Sequence, residues 1–220
     1  MKYSVITIAF SLLLIGCNSK IENETPEAEA VNEQPKQVET TYKAIDTDEA
    51  LVATALMAAP KESRDGCSVI GYNMAGEFVT LKEGTNEFIC LADDPNKNGF
   101  SAACYHKDLE PFMARGRELR KQGKNAGEIF DIREEEVKSG KLSMGKGGET
   151  LHIYFGESSM YDPETSIVEG AKYRYVVYLP FATSESTGLP EKPIAPNHPW
   201  IMNPGTHRAH IMISPINEEK

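Results

Sequence analysis

Long apolar runs are missing from this chain of 220 residues. The longest, Ser4 to Ile15, falls short of the roughly 20 residues that a single membrane span needs. Basic residues are also scarce: 23 Lys and Arg stand against 33 Asp and Glu, a formal charge of −10. A chain so charged lacks the electrostatic footprint of a nucleic-acid binder, and anionic lipid headgroups should repel it. Complete catalytic signatures are absent too. Ser143-Met144-Gly145-Lys146 matches Ser-x-x-Lys, but the companion Ser-Asp-Asn and Lys-Thr-Gly motifs are not present, and Gly145, Gly147 and Gly148 are poor residues for the helix such a serine should open. There is no Gly-x-Ser-x-Gly elbow, and the glycines do not follow the phosphate-loop order. His207-Arg208-Ala209-His210 lacks the glutamate of a metalloprotease motif. No internal repeat is visible. What remains is near the globular average, with 40% hydrophobic and 25% charged residues, enough for one domain with a core.

The first seventeen residues have the layout of an export signal: Lys2, the apolar run, then a small residue before Cys17. Leu14-Ile15-Gly16-Cys17 resembles the lipobox of bacterial lipoproteins. That resemblance implies cleavage before Cys17, a diacylglycerol on its sulfur and acylation of the new amino group. Residues 1–16 are then the signal peptide, and the mature chain carries −11 once Lys2 is lost. Membrane affinity must come from the acyl chains, since two or more hold stably where one does not. Residues 17–43 read as the lipidated cysteine and a disordered acidic tether with six glutamates, two prolines and no aromatic before Tyr42. Such a segment cannot bury enough apolar surface to offset its ordering entropy. As a flexible coil it spans roughly 25–30 Å. The resemblance places the protein in the cell envelope, extracytoplasmic and lipid-anchored. Asn18, where inner-membrane retention is associated with aspartate, favours the outer membrane if the cell has one.

Residues 44–220 are expected to form one α+β domain, a mostly antiparallel sheet with two or three helices. Asp46 or Thr47 caps a helix through Ala59 that ends at Pro60. Cys67–Tyr72, Glu77–Leu81 and Glu87–Leu91, joined by tight turns, predict an antiparallel meander. A helix is expected from Asp108, with Leu109, Phe112, Met113, Gly116 and Leu119 on one face and Gly123 as its stop. Asn125 and Glu128 resemble a capping box for a second helix running to Lys138. Strands follow at 151–155, 173–179 and 207–213. The proline-rich loop 180–199 and Trp200 lie between the last two.

Three cysteines remain after Cys17, an odd number for an oxidising compartment. Cys90 and Cys104 flank a turn-rich loop and are the expected disulfide, with Cys67 left as a buried thiol. A disulfide closing a loop of about 15 residues could contribute roughly 3 kcal/mol. Zinc is the alternative, but there is no Cys-x-x-Cys pair and the spacings fit no zinc site. Asp94, Asn96 and Asn98, followed by Gly99, fit the first half of a calcium loop, although its twelfth position is Tyr105 rather than a bidentate glutamate. The same residues also make an ordinary turn. The basic run Arg115–Lys124 is either a solvated helix face or a surface for an acidic partner.

Leu81-Lys82-Glu83-Gly84-Thr85-Asn86-Glu87-Phe88-Ile89-Cys90, with Asp94-Pro95 and Cys104 beyond, is similar to an uncharacterised family of exported bacterial proteins. Tyr178–Thr183, Pro199–Met202 and Ala209–Ile213 extend the likeness. It supports pairing Cys90 with Cys104, weakens the calcium reading and implies no activity. The expected function is therefore a membrane-anchored envelope lipoprotein whose domain binds a small ligand or an envelope partner. Its groove would be formed by His198, Trp200, His207 and His210, with no firm cofactor. The alternative is an extracytoplasmic hydrolase, possibly metal-dependent, with His210 or His106 as base or ligand. Convergence of three among His106, His152, His198, His207 and His210 would favour it.

Overall fold

The structure, a computed structural model, describes residues 41–214. The expected signal peptide, Cys17 and most of the expected tether lie outside them. None of the described helices is long and apolar enough to cross a membrane.

The domain is α+β. Its eight-stranded sheet is antiparallel except at one pair. In chain order the elements are β1 (Lys43–Ala44), α1 (Asp48–Leu56), β2 (Ser68–Tyr72), β3 (Phe78–Lys82), β4 (Phe88–Leu91), β5 (Phe100–His106), α2 (Glu110–Lys121), α3 (Ala126–Lys138), β6 (Thr150–Gly156), β7 (Met160–Tyr161), β8 (Lys172–Tyr178), α4 (Ser184–Thr187), β9 (Trp200–Met202) and β10 (His210–Ile213). The sheet runs β3-β2-β4-β5-β6-β8-β10-β9, and β1 pairs with β7 as a separate ribbon. Lys43, assigned to the tether, is thus already paired, opposite Tyr161.

Most helix signals hold, although α1 ends at Leu56 rather than Ala59 and Asp108 does not cap the next helix. Thr47 caps α1 through its side chain. Asn125 and Glu128 form the full capping box of α3, and Gly123 ends the turn after α2 at φ 80°. Both sheet faces are covered. On one, Leu51 and Ala55 of α1 pack with Val69, Cys90, Ala102, Cys104 and Tyr154. On the other, Leu109 and Phe112 pack with Tyr105, Leu151, Val176, Tyr178 and Met212. Alternate residues of β5 therefore enter opposite cores. Each large apolar side chain buried this way contributes roughly 1.5–3 kcal/mol.

Beyond a last strand that starts at His210 rather than at 207, two sequence expectations need correction. The meander does not form: β2 pairs antiparallel with β3 but parallel with β4, so β3 is an edge strand and serves as the crossover. A parallel pair needs a connection of about a dozen residues or more, and 73–87 supply it. The returning stretch Lys82–Asn86 is bolted across the start of β2. The Thr85 and Asn86 amides donate to the Gly66 carbonyl (2.7 and 3.0 Å), and the Lys82 ammonium donates to the Asp65 and Cys67 carbonyls (2.8 Å each). Gly84 permits that crossing, because a Cβ there would fall on the Ser68 amide and within 2.8 Å of the Cys67 carbonyl carbon. The second correction is β5, a seven-residue strand joined to both β4 and β6, where sequence reading places nothing. Its Phe-Ser-Ala-Ala-Cys-Tyr-His carries small residues of low strand propensity and, being buried on both faces, shows no clean alternation.

Candidate functional site

A cavity of about 600 Å³ opens where α2 overhangs the β2–β3–β4 edge of the sheet. That is a usual size for a small-molecule site. Tyr72 and Phe78 form its aromatic wall, edge to face with centroids 5.3 Å apart. The Arg117 guanidinium and the Lys121 ammonium each sit 5.4 Å from the Phe78 ring centre. Asp93 and Asp94, just after β4, also line it.

The basic run 115–124, on α2 and just beyond it, is largely neutralised. Arg115 bonds Glu136 and Glu118, Arg117 bonds Glu110 and the Tyr105 hydroxyl, and Lys124 bonds Glu128. Among the described residues, Arg120 and Lys121 form no ion pair, and both line the cavity. Asp93 is 7% exposed. Burial drives its carboxyl up to about 6, against the pull of the Ser101 amide that donates to it at 2.9 Å. The site thus holds an aromatic wall, two uncommitted cations and one carboxyl able to exist as the neutral acid near pH 6. Sequence reading found Arg120 and Lys121 within the basic run but not the cavity, because β3, β4 and α2 meet only in three dimensions.

The expected groove residues lie elsewhere, lining neither this cavity nor the shallower one around Phe181. His207 is fully buried. Its Nδ1 faces the Glu134 carboxylate, while Phe112 and Phe130 pack on its ring. Burial lowers its pKa below the usual value despite Glu134, so it is neutral and donates from Nδ1. For Glu134, burial is outweighed by the hydrogen bonds from Lys138 and His207, which hold the carboxyl at about 2. His210 is buried with Nδ1 donating to the Arg208 carbonyl at 2.7 Å, and burial lowers its pKa. Trp200 packs on the core beneath α2. His198 has a buried Nδ1 with no partner among the described residues. His106 caps the turn before α2 by accepting from the Asp108 amide at 3.3 Å, and His152 lies against Phe88 and Tyr175. None of the five histidines lines either cavity. Among the described residues they supply no metal-sized cluster.

The calcium half-loop closes on itself. Asp94 Oδ1 accepts from the Asn96 amide at 3.1 Å and Oδ2 pairs with Lys97 at 3.0 Å. Among the described residues Asp94 joins no group of three histidine, cysteine or acidic ligands.

The three cysteines converge. Cys90 and Cys104 face each other across β4 and β5, and Cys67 joins them from the start of β2. All three sulfurs lie within 4.8 Å of one another, and each residue is fully buried. The thiols are free, with the Cys90 and Cys104 sulfurs 2.7 Å apart. Burial, then Cys90, pushes the Cys67 thiol up to about 11. Cys90 is raised by its bond to Cys104 and by burial. Such thiols are poor nucleophiles. Spacing could not reveal the trio, because β2 reaches β4 only through the parallel pairing.

Compared with known proteins, this chain matches no family model, no curated protein and no solved structure.

Proposed function

We propose that the protein is a lipid-anchored envelope binding module whose domain seats a small organic anion with an aromatic or apolar body. The cavity under α2 carries this reading. An aromatic wall beside two uncommitted cations suits a ligand with both an apolar part and a negative group. In an acidic chain, a concave place lined by two cations without an ion pair favours an anion locally. The anchor is Cys17, on the strength of the lipobox resemblance, and the acidic tether spaces the domain from the bilayer. The hydrolase alternative has less support, since among the described residues the histidines line neither cavity.

Titration of the full chain with anilinonaphthalenesulfonate, an anionic aromatic probe, tests the seat. Saturable one-to-one binding is expected, weakened about tenfold by Arg120→Glu with Lys121→Glu, equivalent to about 1.4 kcal/mol. Affinity left unchanged by that double reversal refutes the seat. Anchoring is tested separately by labelled palmitate and membrane fractionation. Equal membrane retention of the Cys17→Ser chain refutes the anchor and leaves the seat standing.

A further inference from the structure

We infer that Cys67, Cys90 and Cys104 form a buried site for one soft monovalent metal ion of the Cu(I) class. Cys67, just before β2, joins Cys90 of β4 and Cys104 of β5 on the α1 face of the sheet, distant in sequence but within 4.8 Å at the sulfurs. Three thiolates around a metal at about 2.3 Å, the usual metal–thiolate distance, place their sulfurs about 4 Å apart. The cluster fits inside that reach. Cys90 and Cys104, at 2.7 Å, need only part by side-chain rotation on their facing strands.

The donor set selects the ion. Soft thiolates favour Cu(I), Zn and iron–sulfur clusters, whereas calcium and magnesium require oxygen ligands. Structural zinc is four-coordinate, and among the described residues no histidine, aspartate or glutamate joins this group. A trigonal monovalent ion is satisfied by three sulfurs in a site closed to water.

The surroundings hold Cys67 in place. Its thiol donates to the Ser63 carbonyl at 3.1 Å. Asn86 clamps that carbonyl at 2.7 Å and reaches the Cys67 sulfur at 3.9 Å, its own oxygen fixed by the Phe88 amide at 2.9 Å. Lys82, bonded to the Cys67 carbonyl, sets a positive charge beside thiolates that would otherwise be costly to bury. The Lys82–Asn86 crossover thus orients a metal ligand through its backbone and side chains, as outer-shell residues do. Binding releases the thiol protons and involves no change of oxidation state. A Cys90–Cys104 disulfide uses two of the same sulfurs and excludes the ion.

The test uses the full chain carrying Cys17→Ser, so that the trio holds its only thiols, titrated anaerobically with Cu(I) against bathocuproine disulfonate. One Cu(I) per chain is expected, with three sulfur neighbours by X-ray absorption and affinity reduced about 100-fold or more by Cys67→Ala. The absorption spectrum requires no substitution within the trio, so it decides the matter even if Cys67→Ala misfolds. Failure to take up Cu(I), two-sulfur coordination, undiminished affinity in Cys67→Ala, or a Cys90–Cys104 disulfide that persists when Cu(I) and glutathione are supplied overturns the site.

Discussion

Replacing Asp93 by Asn should stabilise the protein at neutral pH and leave it unchanged in acid. The folded carboxyl titrates near 6, against 3.8 for the ordinary group. Below pH 3.8 both folded and unfolded chains hold the proton, and ionisation costs nothing. Between roughly 4 and 6 the unfolded chain releases its proton while the folded chain keeps it, so stability falls as pH rises. Above 6 both are ionised and the penalty is constant. A shift of about two units at 1.36 kcal/mol each gives an upper bound of about 3 kcal/mol. Asn carries no charge, and its oxygen can still accept the Ser101 amide that bonds Asp93 at 2.9 Å. Urea unfolding of both proteins at pH 3.5, 5 and 7.5 measures the difference, which should rise from near zero to 1–3 kcal/mol, roughly the range the shift allows. Other titrating groups cancel in the comparison. A difference independent of pH, or an Asn variant less stable at pH 7.5, refutes the reasoning.

Glu134 should show the opposite sign. Its carboxyl is held at about 2 in the fold against an ordinary 4.5. Glu134→Gln should cost up to about 3 kcal/mol at pH 7, and the deficit should vanish as pH falls through 2, as acid-scanned unfolding would show. Gly84→Ala places a methyl group against the Cys67–Ser68 backbone. Thermal melting should report a loss of about 3 kcal/mol or more, whereas Gly76→Ala, at an open turn, should cost about 1 kcal/mol from its positive φ alone. In the anion titration, affinity for the probe should strengthen below pH 6 as Asp93 takes its proton and should lose that pH dependence in Asp93→Asn.

Local chemistry by itself determined the helices. Thr47, Asn125, Glu128 and Gly123 act within one turn of their own backbone, so caps and stops were legible. Strands with a strong β-branched or aromatic signature, such as β8, were legible for the same reason, and with them the α+β class. The signal and tether are expectations from residue order, the lipobox resemblance and composition, and almost all of them falls outside the described residues. Tertiary structure alone decided which strands become neighbours. A short turn after β3 suggested a hairpin, but the backbone bonds of Thr85 and Asn86 to Gly66 carry the chain past β2 instead. That one choice brings Cys67 beside Cys90 and Cys104 and sets β3 at the edge where Phe78 meets α2. It also explains why β5 escaped notice: its small residues suit a strand only between two covering layers. The histidines looked like chemistry because they cluster in sequence, whereas burial and partners such as Glu134 are properties of the fold. Spacing along the chain reports contacts within an element. The cavity and the sulfur trio depend on contacts between elements, which distant residues create when one strand crosses another.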